Sequence, residues 1–188
     1  MTPSLVRYIP GFLCKAESSL LLEALRSELK WEQRDIRLFG RKVAQPRLTC
    51  WYGDKGTEYG YSGVRLEPFA WHPELQRLRN ALENELQHPF NAVLANAYRN
   101  GRDSMGWHSD NEPELGADPM IASISLGENR RFLLRHRASK KITEYHLESG
   151  SLLVMQGKVQ SDYQHSLPKT VREIGWRINL TYRQVFRR

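Results

Sequence analysis

Apolar residues recur at helical spacing in two stretches of the N-terminal half. In residues 18–30, leucines stand at positions 21, 22, 25 and 29 with polar residues between them. Residues 73–87 repeat the pattern with leucines at 75, 78, 82 and 86, and Pro73 suits a first helical turn. Both patterns predict amphipathic helices that bury one face against a core.

From residue 91 onward the chain has short runs with strand character, and glycines at 127, 150, 157 and 175 separate them. Many short strands with glycine turns are typical of a barrel or a double-sheet jelly roll. The predicted fold is α+β and mainly β, with the N-terminal helices packed outside the sheet. The predicted strands are residues 93–98, 121–126, 131–136, 141–147, 151–155 and 177–185.

Residues 34–69 are rich in glycine, aromatic and basic residues and have weak periodicity. This texture predicts ordered loops or hairpins that line a substrate groove. We expect a single domain over residues 1–188, with the helices and these loops in residues 1–90 and the strand-rich core in residues 91–188.

The composition, 40% hydrophobic and 26% charged, is ordinary for a soluble globular protein. The chain has no apolar run of about 18 residues and no secretory pattern at its start, which favours a cytosolic or nuclear protein without a membrane partner. Cys14 and Cys50 are expected to be reduced packing residues. The net charge of +7 favours a polyanion such as nucleic acid, although a merely soluble basic protein would carry the same excess.

His108, Asp110 and His165 offer the ligand set of a non-haem iron centre. In an extended segment, His108 and Asp110 point the same way and can reach one ion. His165 is the best third ligand and is expected at a strand start. Such a triad leaves about three positions of an octahedral ion open, whereas a closed zinc site needs a fourth protein ligand. The alternative for His108 is an ordinary surface or core histidine.

Polar and apolar residues alternate along the last predicted strand, so its polar side chains share one face. Arginines that face into a barrel need anionic partners, and a guanidinium binds a carboxylate through two hydrogen bonds. The pattern therefore predicts a site for a dicarboxylic acid, unless the strand lies at a sheet edge with this face in water. The residues of the polar face are Arg177, Asn179, Thr181 and Arg183.

These motifs resemble the AlkB family of Fe(II)/2-oxoglutarate-dependent dioxygenases. The resemblance rests on Asn96-Ala97-Tyr98, His108-Ser109-Asp110, His165-Ser166-Leu167-Pro168 and the RxNxTxR pattern from Arg177 to Arg183. Upstream, Pro46-Arg47, Tyr52-Gly53-Asp54 and Tyr59-Gly60-Tyr61-Ser62-Gly63 are similar to the nucleotide-recognition segment of homologues that repair duplex DNA.

The family implies a double-stranded β-helix (jelly-roll) core with a nucleotide-recognition lid. It implies Fe(II) bound by His108, Asp110 and His165, with 2-oxoglutarate and O2 as cosubstrates. We expect Arg177 to hold the distal carboxylate of 2-oxoglutarate and Arg183 to lie nearer the metal-bound one. The residues expected to contact 2-oxoglutarate are Asn96, Tyr98, Arg177, Asn179, Thr181 and Arg183.

Family members hydroxylate an N-methyl group on a damaged base that has been flipped out of the stack. The resemblance thus implies an oxidative demethylase that repairs 1-methyladenine and 3-methylcytosine in DNA and releases formaldehyde. Tyr59 and Tyr61 are placed to stack on the flipped base, Glu112 matches a base-pocket acid, and Phe39 matches a wedge that fills the gap in the stack. Further predicted substrate contacts are Arg47, Ser62, Lys169 and Arg172, and other candidate phosphate contacts are Arg34, Arg37, Arg41 and Lys42.

Three alternatives stay open. An RNA demethylase would use the same chemistry, a non-catalytic nucleic-acid-binding jelly roll would lack a complete triad, and a zinc hydrolase would not need two arginines on one strand face. The preferred partner is alkylated DNA, duplex rather than single-stranded, and the protein is expected to be a monomer.

Overall fold

The computed structural model describes residues 5–38, 41–61 and 64–186. The helices are α1 (Lys15–Glu28), α2 (Pro73–Leu86) and the single turn α3 (Val159–Asp162), and Pro113–Leu115 form a 3-10 turn. The strands are β1 (Val6–Ile9), β2 (Asp35–Leu38), β3 (Arg41–Ala44), β4 (Leu48–Gly53), β5 (Tyr59–Tyr61), β6 (Val64–Leu66), β7 (Ala92–Tyr98), β8 (Met105–His108), β9 (Ile121–Gly127), β10 (Arg130–His136), β11 (Ile142–Leu147), β12 (Leu152–Met155), β13 (Tyr163–Leu167) and β14 (Arg177–Arg183).

Two antiparallel sheets form the centre of the described chain. The larger sheet has the strand order β1-β12-β9-β14-β7-β4, and the smaller one has the order β11-β10-β13-β8. From β7 to β14 the chain passes repeatedly between them, which is the topology of a double-stranded β-helix. The predicted mainly-β jelly roll is therefore confirmed.

The segment upstream of the jelly roll forms two hairpins and one added strand. β2 pairs with β3 and β5 pairs with β6, while β4 pairs with β7 and extends the larger sheet. Hairpins were predicted for this segment. Its role in lining a substrate groove stays a prediction.

The outer face of the larger sheet is covered by α1 and α2, as the leucine spacing predicted. Leu21 and Leu25 of α1 and Leu75 of α2 are buried in one apolar cluster with residues of β7, β9, β12 and β14. Tyr182 fixes α2 to the sheet because its hydroxyl donates to the Leu75 carbonyl at 2.9 Å. Each buried leucine contributes roughly 1.5–3 kcal/mol, so this layer holds the sheet against its helices.

The inner faces of the two sheets enclose a second apolar cluster, in which Leu94 and Ile121 face Phe132 and Leu134. Because side chains alternate along a strand, the polar residues of β14 face the same interior. β14 lies between β9 and β7, so the alternative of an edge strand with its polar face in water is wrong.

β8 was not among the predicted strands, and of β13 only a strand start at His165 was predicted. His165 is the third residue of β13 rather than its start. Cys50 is buried, but Cys14 is exposed just before α1, so its assignment as a packing residue is wrong. Among the described residues, no helix has the length and apolar character that crossing a bilayer requires.

Candidate metal centre and cosubstrate pocket

The pairing of β8 with β13 places His108 directly opposite His165. The two imidazole rings lie 4.1 Å apart between centroids. Asp110 follows β8 by two residues, and its Oδ1 lies 3.9 Å from His108 Nε2. One ligand atom from each residue lies within 4.8 Å of the others. The structure therefore brings together the three side chains that were predicted from the sequence as metal ligands.

The hydrogen bonds and charges of this triad suit a cation. His108 Nδ1 lies 2.9 Å from the Gly106 carbonyl, which can only accept, so the proton is on Nδ1 and Nε2 presents its lone pair. Burial lowers the pKa of His165 to about 3, which keeps the ring neutral. Burial alone would raise the pKa of Asp110, but the Arg183 guanidinium outweighs it and the pKa falls to about 2. Two neutral imidazoles and one carboxylate are the protonation states that a metal needs.

The Asp110 carboxylate is held on one side and open on the other. Its Oδ2 accepts from Arg183 at 2.9 Å, and its backbone N–H donates to Gln160 Oε1 at 2.9 Å. Its Oδ1 is buried, and no group of the described residues donates to it. A buried carboxylate oxygen without a partner is costly. An ion between Oδ1 and the two imidazoles would supply that partner.

Arg177 lies at the far end of the polar face of β14 from Arg183. Its NH2 donates to Ser125 Oγ at 3.0 Å, and its guanidinium lies 5.4 Å from the centre of the Tyr98 ring. It is only 2% exposed, and no described residue accepts from its Nε. Burial lowers the pKa of Arg177 to about 10, so the group stays charged at neutral pH. A buried cation of this kind calls for an anionic ligand.

Between the two arginines runs a line of small polar groups. Thr181 Oγ1 donates to Asn179 Oδ1 at 3.0 Å, and Asn179 Nδ2 donates to Ser123 Oγ at 2.6 Å. These residues and the triad share one cavity. It is lined by Leu94, Asn96, Tyr98, Met105, His108, Asp110, Ser123, Phe132, Leu147, Met155, His165, Ser166, Leu167, Arg177, Asn179, Thr181 and Arg183.

Comparison with known proteins identifies the family. A family model described as "2OG-Fe(II) oxygenase superfamily" matches residues 5–183, almost the whole chain. The chain belongs to this superfamily. Human "alpha-ketoglutarate-dependent dioxygenase alkB homolog 3" is 40% identical over 187 residues, which are 94% of this chain and 65% of that protein. Mouse "DNA oxidative demethylase ALKBH2" is 35% identical over 182 residues, which are 91% of this chain and 76% of that protein. The AlkB resemblance is thereby confirmed.

Solved structures agree with this fold. The structure of OsALKBH1 superposes with a TM-score of 0.68 at 17% identity and covers 98% of this chain and all of that one. A 2OG-Fe(II) oxygenase family protein from Burkholderia pseudomallei superposes with a TM-score of 0.62 at 12% identity, covering 97% and 87% of the two chains. At these identities the likeness concerns the fold alone.

The donor set of this 2OG-Fe(II) oxygenase fits the groups that its family name implies. His108, Asp110 and His165 would hold Fe(II), because the buried Oδ1 of Asp110, to which no described group donates, lies beside two imidazoles. The buried Arg177 would take a carboxylate of 2-oxoglutarate, which is a diacid.

The other predicted contacts of the oxygenase are placed as follows. Arg47 is buried, with its Nε donating to Asn96 Oδ1 at 3.0 Å, so it is not at the exposed position expected of a phosphate contact. Glu112 is half-buried, two residues beyond Asp110, whereas Lys169 and Arg172 are exposed on the loop after β13.

The remaining predicted contacts belong to the segment upstream of the jelly roll. Tyr59 and Tyr61 belong to the β5–β6 hairpin, and Phe39 and Ser62 lie outside the described residues. Of the further phosphate candidates, Arg34 forms an ion pair with Glu32, and Arg37, Arg41 and Lys42 lie on the β2–β3 hairpin.

Two buried residues of this site were not singled out from the sequence. Arg130 lies 5.9 Å from the Tyr98 ring and donates to the carbonyls of Asp103 and Pro168. Gln160 holds the Asp110 backbone. Alternation along the predicted strand 121–126 does place two other residues of the site, Ser123 and Ser125, in the interior. No local sequence pattern predicts the position of Gln160.

Gln160→Met should weaken Fe(II) binding about tenfold, since loss of an outer-shell partner of a metal ligand typically costs 10–100-fold. Methionine fills the buried space but offers the Asp110 N–H only a weak acceptor. The measurement is titration of Co(II) absorbance in the absence of substrate. Gln164→Met is the matched control, because Gln164 bonds to Arg135 rather than to the triad. Equal metal affinity in wild type and Gln160→Met would show that Gln160 does not position Asp110.

Proposed function

We propose that this protein is an oxidative demethylase that removes methyl groups from 1-methyladenine and 3-methylcytosine in DNA. The observation that carries the proposal is the single cavity in which a two-histidine, one-carboxylate triad lies beside a buried, charged Arg177. Two relatives support it through their names, which are a dioxygenase and a DNA oxidative demethylase. The chain spans only 65% of the length of the alkB homolog 3 relative, so activity and substrate are inferences.

In the proposed reaction the side chains of the cavity bind and orient the reactants. Arg177 would hold the distal carboxylate of 2-oxoglutarate through its two-pronged guanidinium. Bound Fe(II) would supply the activation of dioxygen that the side chains cannot perform. Arg183, whose NH2 lies 2.9 Å from Asp110 Oδ2, keeps Asp110 ionised and oriented.

The apolar lining of the cavity would exclude water and so protect the reaction from competing chemistry. Leu94, Phe132 and Met155 contribute to this lining. A methyl group on a base nitrogen would receive one oxygen atom of O2 there, while the other would enter 2-oxoglutarate as it is converted to succinate and CO2. The resulting hydroxymethyl group would be lost as formaldehyde, which restores the base. Bases with a blocked pairing edge are favoured, because flipping costs least for a base that pairs badly.

Positive charge supports nucleic acid as the substrate. The chain carries a net charge of +7, and Lys169 and Arg172 are exposed on the loop that follows the strand of His165. Phosphate contacts of this kind position a strand without reading its sequence. A DNA substrate would place the protein in the cytoplasm or, in a eukaryote, in the nucleus. We propose separately that it acts as a monomer with a single domain.

The test is a set of incubations with oligonucleotides that contain one methylated base. Protein purified without oxygen and loaded with Fe(II) is mixed with 1-methyladenine or 3-methylcytosine in single-stranded DNA, duplex DNA or RNA, with and without 2-oxoglutarate. Equimolar succinate and formaldehyde on DNA, dependent on 2-oxoglutarate, are expected. Stronger turnover on RNA would favour the RNA alternative. Base turnover that continues without 2-oxoglutarate or oxygen would overturn the oxygenase assignment.

Phe39→Ala should reduce demethylation of duplex DNA about tenfold and leave single-stranded DNA nearly unchanged. Flipping a base out of a duplex breaks the stacking at that step, and the inserted side chain replaces part of it. Unstacking costs a few kcal/mol, and a single strand has no paired stack to restore. The measurement is the ratio of kcat/KM on the two forms of one methylated oligonucleotide. Phe186→Ala removes an exposed phenylalanine near the C-terminus and serves as the control. Equal losses on both forms would remove the wedge from the proposal.

A further inference from the structure

Trp107 is a large aromatic side chain at the surface, one residue before a candidate metal ligand. It is 36% exposed. His108 and His165 face the interior of the jelly roll, and side chains alternate along a strand. Trp107 therefore lies on the outer face of the four-stranded sheet, where its ring meets Arg135 of β10.

One side of the Trp107 indole is covered by a fixed cation. The guanidinium carbon of Arg135 lies 4.1 Å from the ring centre. Arg135 also donates to Gln164 Oε1 at 2.9 Å, which holds the guanidinium in place. A tryptophan held from one side by a cation has little freedom left to lose on binding, and the exposed part of the Trp107 ring can meet a second planar group.

The chain segment that supplies the Arg135 neighbour of Trp107 is rich in basic residues. Residues 130–143, which form β10, the turn after it and the start of β11, contain six arginines and lysines and no acid. Arg130 is buried, and Arg131 is paired with Glu144. Lys140 and Lys141 are exposed in the turn. An exposed aromatic beside a cationic strip is the arrangement that single-stranded nucleic acid binds, through base stacking and phosphate attraction.

We propose that Trp107 is a stacking platform for an unpaired base that neighbours the target base on the same strand. The inference rests on the proposed function, because it assumes that a base occupies the cavity lined by His108. A nucleotide next to that base would leave the cavity past β8, the edge strand of the smaller sheet, where Trp107 directly precedes His108. Stacking on Trp107 needs a base that is not paired, so the platform selects single-stranded substrate or a locally opened duplex.

The test uses iron-free protein and an unmethylated, fluorescently labelled oligodeoxythymidine, so that binding is read without catalysis. Trp107→Ala should weaken binding about tenfold, because one base–aromatic stack has roughly that effect on a single-stranded complex. Trp107→Phe should recover part of the loss. Binding of a fully paired duplex by Trp107→Ala should be unchanged.

The chain offers a matched control in Trp176, which also lies under an arginine, with the Arg26 guanidinium carbon 4.7 Å from its ring centre. Trp176→Ala should leave affinity for the oligonucleotide unchanged. The proposal is overturned if Trp107→Ala binds single strands as tightly as wild type, or if the two tryptophan variants lose affinity equally.

Two other outcomes are decisive. If Trp107→Ala leaves oligonucleotide affinity intact and converts a dimer to a monomer in sedimentation, the surface contacts a second copy of the chain and the platform is wrong. If the binding difference is found but no formaldehyde is released from any methylated substrate, the platform stands and the proposed demethylation fails. The two hypotheses are therefore separable.

Discussion

His108→Ala is expected to abolish 2-oxoglutarate-dependent turnover and to weaken Fe(II) binding by more than the roughly 10–100-fold that loss of an outer-shell partner causes. The reason is geometric, since His108 Nε2 faces Asp110 Oδ1 at 3.9 Å and lies opposite His165. Two remaining ligands cannot define one face of an octahedral ion. Metal titration by Co(II) absorbance and the formaldehyde assay together measure both effects.

His146→Ala is the matched control for this prediction. His146 is an exposed histidine whose Nε2 lies 3.0 Å from Glu144 on the outer face of β11, so its loss should change neither measurement. Demethylation by His108→Ala at the wild-type rate would refute the metal assignment.

Asp110→Ala is a less clean test of the same triad. It removes the carboxylate that Arg183 contacts at 2.9 Å, where both side chains are only 3% exposed. Breaking a buried ion pair by removing one partner costs about 3–5 kcal/mol. Lost activity in this variant would therefore combine lost metal with lost stability, whereas His108 is half-buried and forms no such pair.

The polar face of β14 was predictable because its signal is local. A repeat of period two assigns each residue to a face from sequence alone, and the structure places Arg177, Asn179, Thr181 and Arg183 in the interior. The central position of β14 was not encoded in that repeat. It follows from the pairing of β14 with β7 on one side and β9 on the other, and both strands are distant in the sequence.

The strands of the triad were harder to predict. β8 reads Met105-Gly-Trp-His108 and contains no β-branched residue, while β13 is only five residues long and holds two polar residues beside His165. Strand propensity is weak for such segments. The HxD spacing nevertheless identified two of the candidate ligands, because the requirement that two donors point to the same side is a local one.

The contacts of Gln160 and Arg130 could not be predicted from neighbouring residues in the sequence. Gln160 contacts Asp110 across 50 positions of the chain, and Arg130 joins the loops that follow β7 and β13. Arg47 was predicted as a substrate contact, and the structure places it in a buried position beside Asn96. These positions depend on which strands the fold brings together, and no single segment specifies that.

Arg177→Met is expected to raise the KM for 2-oxoglutarate about 100-fold while leaving the KM for the methylated oligonucleotide nearly unchanged. Charged hydrogen bonds contribute roughly 1.5–3 kcal/mol each, and about 2.7 kcal/mol corresponds to a factor of 100. Arg177→Lys should recover only part of the loss, because lysine keeps the charge but not the planar fork that binds carboxylate through two bonds.

A monocarboxylic 2-oxo acid, such as 2-oxobutyrate, tests which carboxylate Arg177 binds. If Arg177 holds the distal carboxylate, wild type should strongly prefer 2-oxoglutarate over 2-oxobutyrate, and Arg177→Met should discriminate little, because the group that distinguishes the two acids has lost its partner. Arg183→Met is the informative counterpart. Arg183 contacts Asp110, so its loss should weaken both acids alike. If Arg177→Met keeps the wild-type preference and Arg183→Met loses it, the two arginines have the opposite assignment, and the distal end of the cosubstrate lies at Arg183.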